Sequence, residues 1–466
     1  MKKYMPLFAL LALVLVAKLI FLTITYHNPV WDEAVFIGMG KWISTSQETG
    51  LWEKIRPPGL PLSLSLIFNI TNSHVFGADF LILLFTLGSI ILTYLIGCRV
   101  YNQKVGLIAG LLIFLTPVFF LNSNRVLTGI PSLFFCLLAI YAYLDKKYTL
   151  SALACAGAFL FRYPAGLIFP VIAILILSAN LKYKQNKLFK TIQNNLKPFL
   201  NFTLVFIFLL SLYLIYNKIA YNSFFEPLIM AANHQSTFAG NVTGPAYILF
   251  YPVLLFSSNI LLIFAFFSPW KKRSLSILLP LITFFLYFTI IPHKKERFIL
   301  LALPYLAIFA AAGIYRLTTF SKEIYYKMIV YFILLLLLMP SLISFYFIFT
   351  ADSENFPKTK PTYVESYYSF IENELGQKIL TSDPIPATFT NKKFIPFYQD
   401  TEVGLEVLKK NINHSDAVIY NEDAFPWNST IAKKQKEEMK SLLKKESKSI
   451  KNINVSNSLR KIYLLN

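Results

Sequence analysis

Trp31-Asp32-Glu33 follows an apolar run at residues 4–25 and precedes Arg56-Pro57-Pro58-Gly59, so two acidic side chains stand at the edge of a membrane span. A charge at that depth is costly and marks a functional site by default. The run follows Lys2 and Lys3, exceeds the length of a signal-peptide core and has no small-x-small cleavage site behind it, so it reads as an uncleaved anchor although Lys18 interrupts it.

The rest of the chain supports a membrane setting. Of 466 residues, 56% are hydrophobic and 15% charged, well below the roughly 25% charged content of soluble domains. The net charge of +20 raises nucleic acid as a partner, but Lys and Arg fall in short clusters between apolar runs or in the C-terminal tail. That pattern sets orientation and meets anionic headgroups, so membrane lipids are expected and nucleic acid is not. Cys98, Cys136 and Cys155 lie in or beside apolar runs with neither a CxxC nor a metal-ligand spacing, and read as packing residues.

Runs long enough to cross a hydrocarbon core of about 30 Å occur near 4–25, 79–97, 105–121, 128–144, 149–161, 164–179, 199–218, 245–267, 275–291, 298–315 and 327–349, which makes eleven crossings. The shorter stretch 60–70 reads as an interfacial or re-entrant helix. With a cytoplasmic N-terminus, Arg99/Lys104, Lys146/Lys147, the run at 182–190, Lys271/Lys272/Arg273 and Arg316/Lys322/Lys327 all fall inside, as the positive-inside rule asks. Counting 60–70 as a crossing would invert every later loop. The expectation is a multi-pass protein of the cell membrane, all-α over 1–350, with a small extracytoplasmic soluble α/β domain over 351–466. In that tail Lys378-Ile379-Leu380 and Ala417-Val418-Ile419-Tyr420 read as strands, and 433–451 as a charged helix or linker.

Asp32 can act as a general base on an acceptor hydroxyl or amide, with Glu33 in support; the bland alternative is a loop acid or helix cap. Arg56, held by the prolines at headgroup depth, can pair bidentately with a phosphate. Arg162, which interrupts an apolar run, can do the same or simply anchor its helix. His293-Lys294-Lys295-Glu296-Arg297 faces outside against the charge rule and reads as a headgroup site carried by His293, Lys294 and Arg297. The loop with Glu226, His234 and Gly244-Pro245 can gate an acceptor, although Glu226 and His234 taken alone read as solvated loop residues. No Walker loop, dinucleotide fingerprint, HExxH or DxD is present, so nothing handles ATP or a nucleotide sugar visibly. An activated lipid donor fits that silence.

Asp32-Glu33, Arg56-Pro57-Pro58, Arg162-Tyr163-Pro164 and the His293-to-Arg297 cluster leading into Phe298-Ile299-Leu300-Leu301-Ala302-Leu303-Pro304 together resemble the GT-C class of membrane glycosyltransferases, in particular dolichyl-phosphate-mannose protein mannosyltransferases and lipid A aminoarabinose transferases. The resemblance covers most of 1–350. It implies a polyprenyl-phosphate-linked sugar donor, inverting transfer to a protein, lipid or glycan acceptor, Asp32 as base or acceptor-orienting group, and Arg56 and Arg162 near the donor phosphate. Mannose is the commonest sugar in the family. Many members carry a second acid in an R-x-x-x-D-x-P pattern, where this chain reads Arg125-Val126-Leu127-Thr128-Gly129-Ile130-Pro131. Gly129 stands where the acid would be, so no bound metal or other cofactor is expected. A transporter or flippase of a lipid-linked anion is the alternative. Asn241, Asn413 and Asn428 begin N-glycosylation sequons.

Overall fold

The computed structural model describes residues 5–71, 73–179, 188–237, 245–320, 322–398, 401–424, 430–455 and 458–465. Most of the 182–190 run, Asn241, Gly244 and Asn428 lie outside them.

The apolar runs fold as helices: α1 (Met5–Ile24), then α2 (Trp31–Ser44) and α3 (Gly59–Phe68) in the first long loop, then α4 (His74–Val100), α5 (Gln103–Phe114), α6 (Pro117–Asn122), α7 (Gly129–Leu144), α8 (Tyr148–Phe161), α9 (Ile168–Ser178), α10 (Leu188–Tyr221), α11 (Glu226–Thr237), α12 (Pro245–Ser258), α13 (Leu275–Ile290), α14 (Leu303–Phe320) and α15 (Ile324–Thr350). Among the described residues six helices are long and apolar enough to cross a membrane, or seven if α12 and the 3-10 segment Ile260–Phe267 form one span bent by 103°. The stretches Gln103–Phe114, Gly129–Leu144, Tyr148–Phe161 and Tyr163–Ser178 are shorter apolar helices, as is α3.

Polar residues explain the breaks. Asn259 is fully buried at the α12 bend, where its amide accepts from Leu261 N (3.2 Å) and donates to Thr116 Oγ1 (3.1 Å). Those bonds satisfy backbone and side-chain groups that the bend frees from the helical ladder. Thr116 itself is extended, with Pro117 opening α6 behind it, so the run at 105–121 is split rather than continuous. Asn102 Oδ1 caps α5 at Val105 N (3.0 Å), and Ser73 Oγ caps α4 at Phe76 N (3.3 Å).

Beyond α15 the chain forms a C-terminal α/β unit: α16 (Thr362–Glu374), β1 (Lys378–Thr381), α17 (Pro386–Phe389), β2 (Lys393–Pro396), α18 (Thr401–Asn411), β3 (Ala417–Asn421), α19 (Thr430–Glu446), β4 (Ser447–Val455) and β5 (Ser458–Leu465). The sheet order is β2-β1-β3-β5-β4, with β1 parallel to both neighbours and the last two pairings antiparallel. The charged stretch 433–451 is therefore a helix followed by an edge strand.

Two cores meet at α2. Val35 and Met39, one helical turn apart, pack with Leu51 into the core of the C-terminal unit. Phe36 and Ile37 pack with Leu60, Leu64 and Phe68 of α3 and with α4. Helix α2 is thus sandwiched between the two cores. Gly50 extends the sheet, accepting from Phe394 N (2.8 Å) and donating to Lys392 O (2.9 Å). Its φ of +81° and the 2.2 Å between a built Cβ and Gly38 O both require glycine there.

Candidate active site

Asp32 lies in the first turn of α2, where a carboxylate complements the helix N-terminus. Each of its oxygens accepts from a different arginine: Oδ1 from Arg56 Nη2 (2.8 Å) and Oδ2 from Arg297 Nη2 (2.6 Å). Burial opposes ionisation of Asp32, but Arg56 and then Arg297 override it and hold its pKa well below the usual carboxylate range. Arg56 is braced from behind by Glu53, whose Oε2 accepts from its Nε (2.9 Å), and Tyr398 donates to the other Glu53 oxygen.

Asp32, Arg56 and Arg297 open onto a cavity of about 570 Å³. Its charged lining residues are Asp32, Arg56, Arg162 and Arg297; most of the remainder is apolar, including Phe206 and Leu210 of α10 and Phe288 of α13. Arg162 ends α8 in an extended conformation and places its guanidinium 4.8 Å from the Phe298 ring centre and 5.2 Å from that of Phe288. Among the described residues it forms no salt bridge. Three guanidiniums and one carboxylate thus line the same cavity, an excess of positive charge that attracts an anion.

Of the His293-to-Arg297 cluster, only Arg297 lines this cavity. Lys294 Nζ donates to the carbonyls of Phe288 (2.8 Å), Thr289 (2.6 Å) and Ile291 (2.8 Å), closing the C-terminus of α13. His293 packs its ring against Phe298, 5.5 Å between centres. Glu226 opens α11 and pairs with Lys54, while Leu228, Ala231 and Ala232 of the same helix line the cavity. His234 lies on α11, its side chain outside the described residues.

Glu33 is buried and is not among the residues lining the cavity. Its Oε2 accepts from Val126 N (3.0 Å) and pairs with His27 Nε2 (2.8 Å), and its Oε1 accepts from Asn355 Nδ2 (2.7 Å). His27 Nδ1 reaches Asp79 Oδ1 at 2.7 Å. Burial opposes protonation of His27, but Asp79 and then Glu33 outweigh it and push its pKa up to about 10. Glu33 therefore ties α2 to the 123–128 loop and to the strand of chain leaving α15. The sequence reading missed His27, Asp79, Glu53 and Tyr398; only Glu53, three residues before Arg56, carried a local signal.

Gly129 lines the cavity at the start of α7, and a Cβ there would stand 3.0 Å from Leu300 Cδ1. With Gly129 in that place and both Asp32 oxygens engaged by guanidiniums, the residues do not fit a two-carboxylate metal site. Among the described residues no group of three or more His, Cys, Asp and Glu side chains could hold a metal ion.

Residues 59–357 match the family model of the Alg9-like mannosyltransferases, and the chain belongs to that family. An uncharacterized protein of Aquifex aeolicus (strain VF5) is 28% identical over 296 residues, a match spanning 61% of this chain and 65% of that protein's length. Among solved structures, ArnT from Cupriavidus metallidurans bound to undecaprenyl phosphate superposes with a TM-score of 0.66 at 14% identity, covering 98% of this chain and 97% of ArnT. The apo oligosaccharyltransferase of Archaeoglobus fulgidus gives 0.58 at 12%, covering 90% and 70%. The arabinofuranosyltransferase AftD from Mycobacteria gives 0.54 at 10%, covering 97% and 41%. The fold is that of GT-C glycosyltransferases, and the chain is a multi-pass membrane protein.

Proposed function

We propose that the chain is a membrane glycosyltransferase that moves a sugar, with inversion, from a polyprenyl-phosphate-linked donor to an extracytoplasmic protein, lipid or glycan acceptor. The observation that carries this reading is the cavity whose charged lining is three arginines, Arg56, Arg162 and Arg297, and one carboxylate, Asp32, within otherwise mostly apolar walls. A polyprenyl phosphate has the same division, an anionic head on a hydrocarbon tail. The undecaprenyl phosphate bound to ArnT, a protein of the same fold, supports that choice of ligand class.

In this reaction the acceptor oxygen or nitrogen attacks the anomeric carbon as the bond from that carbon to the phosphate oxygen breaks. The electron pair of that bond leaves on the polyprenyl phosphate, where guanidiniums stabilise the added charge. Asp32 takes the acceptor's proton. Without donor its oxygens are engaged by Arg56 and Arg297, which makes it a weak base. A phosphate competing for those arginines would release Asp32 and raise its basicity, so donor binding prepares the base. Glu33 acts in support, by fixing α2, and α11 with Glu226 and His234 borders the acceptor's path.

In the membrane we place the N-terminus in the cytoplasm and the C-terminal unit outside, as the basic loops ask. Eleven crossings then comprise the six long helices, the bent pair, and α5, α7, α8 and the stretch Tyr163–Ser178; α3 remains on one side. No metal or other cofactor is assigned. Purified protein in liposomes, given a polyprenyl phosphate carrying a radiolabelled sugar, should transfer label to an acceptor. Movement of the intact lipid between leaflets without transfer would instead support a flippase.

A further inference from the structure

We infer that Tyr398, from the C-terminal unit, is a positioning residue for the Asp32–Arg56 pair and acts through Glu53; its activity readout rests on the glycosyltransferase reading above. Tyr398 follows β2 closely, and its hydroxyl donates to Glu53 Oε1. Glu53 Oε2 accepts from Arg56 Nε at 2.9 Å, and Arg56 Nη2 donates to Asp32 Oδ1 at 2.8 Å. The Tyr398 ring also meets Trp31, the residue before Asp32, edge-on at 4.8 Å between centres. One side chain of the C-terminal unit therefore touches both the backbone neighbour of the catalytic carboxylate and the far end of its ion-pair chain.

Neither Tyr398 nor Glu53 is among the residues lining the cavity, so both act through Arg56. Glu53 is 1% exposed and Tyr398 5% exposed. A buried carboxylate without its full set of donors is expensive, and the Tyr398 hydroxyl supplies one of the two donors to Glu53. Burial, then the Glu53 carboxylate, pushes the Tyr398 hydroxyl well above the usual phenol range, so its proton stays in place to be donated. A guanidinium gripped at Nε by one carboxylate and at Nη2 by another is fixed in rotation as well as position. Loosening the Glu53 end frees Arg56 to swing, and the cavity loses a preset donor for phosphate.

The register of the two chains delivers Tyr398 to Glu53. Gly50, three residues before Glu53, bonds to Lys392 and Phe394 of the β2 strand region, and Phe397 N donates to Thr381 O (3.0 Å) to continue the sheet. The C-terminal unit is thereby a structural part of the site and not only an appended domain.

The test uses the full chain in lipid nanodiscs, with undecaprenyl phosphate as the binding probe. Tyr398→Phe keeps the ring against Trp31 and removes only the hydroxyl. It should lower the melting temperature by only a few degrees and weaken undecaprenyl phosphate binding roughly three- to tenfold, the loss of one hydrogen bond to a charged group felt indirectly. In the transfer assay it should raise donor KM and leave acceptor KM alone. In an Arg56→Lys background, where the bridge between the two carboxylates is already broken, the same change should add nothing. Unaltered binding in Tyr398→Phe, or an equal loss in both backgrounds, overturns the inference. If the unaltered chain fails to bind undecaprenyl phosphate, the donor reading falls separately. Hydrogen exchange at residues 31–36 and 50–56 then decides: faster exchange in Tyr398→Phe supports positioning, and unchanged exchange overturns it.

Discussion

Arg297 Nη2 lies 2.6 Å from Asp32 Oδ2, although the two residues are 265 positions apart in the chain. The contact joins the segment after α13 to the start of α2, and with Arg56 on the other oxygen it makes Asp32 a placeholder anion between two guanidiniums. In the proposed reaction the donor phosphate exchanges with that carboxylate. Replacing Arg297 or Arg56 by Ala should therefore raise donor KM about ten- to a hundredfold, the equivalent of about 1.5 to 3 kcal/mol for a charge-assisted hydrogen bond. Acceptor KM should change little. Lysine should rescue only in part, since it keeps the charge but not the fork. Steady-state kinetics with donor and acceptor varied in turn checks this.

The same exchange has a signature in pH. In the free enzyme the Asp32 pKa is depressed by its arginines, so its ion pairs persist above the ordinary carboxylate range and are lost only as pH falls through the depressed value. Once a phosphate shares those arginines, the pKa rises. The acidic limb of kcat, which reports the bound complex, should lie at higher pH than the acidic limb of kcat/KM, which reports the free enzyme. Coincident limbs would mean that the donor does not displace the Asp32 contacts.

The four cavity charges were legible because they are the polar exceptions in apolar surroundings: Asp32 beside a span, Arg56 before a half-span, Arg162 within a run and Arg297 against the sidedness rule. The cluster at His293 to Arg297 was read as a single headgroup site. Its members divide because the last carbonyls of α13 need donors, and Lys294 is spent on them. Tyr398 was hidden, since its bond to Glu53 across 345 residues leaves no local pattern, whereas Glu53 stands three residues before Arg56. The apolar runs marked the helices, but the breaks at Thr116 and Asn259 depend on each other's side chains and could not be read from either segment alone. Strand β4, Ser447–Val455, follows a charged helix directly with no glycine or proline between them, which is why it read as more of the same.

His27 should couple stability to alkaline pH. Its pKa is raised to about 10 in the folded chain, so its contribution is fully present below the unfolded value near 6.5 and is lost as pH rises through about 10. Melting curves from pH 6 to 10 should show a decline for the parent that is reduced in His27→Gln. His27→Ala, which leaves Glu33 and Asp79 without the cation between them, should cost about 3 to 5 kcal/mol.

Gly50→Ala tests the docking of the C-terminal unit. The positive φ and the contact with Gly38 O leave no room for a methyl group, so the change should destabilise by about 1 to 3 kcal/mol and increase proteolysis between the first long loop and β2. A variant with unchanged melting and protease resistance would show that the loop accommodates a side chain by moving.

The most direct test of the account is sugar transfer by Asp32→Asn, which keeps the shape of the side chain and removes its basicity. With a donor that serves the parent chain, the variant should bind undecaprenyl phosphate at least as well as the parent, because the arginines no longer pair with a carboxylate. Its transfer rate should fall by about 10² to 10⁴, the range for loss of a general base. Transfer at the parent rate, with donor binding intact, would contradict the role of Asp32 and with it the reading of the cavity as the catalytic centre.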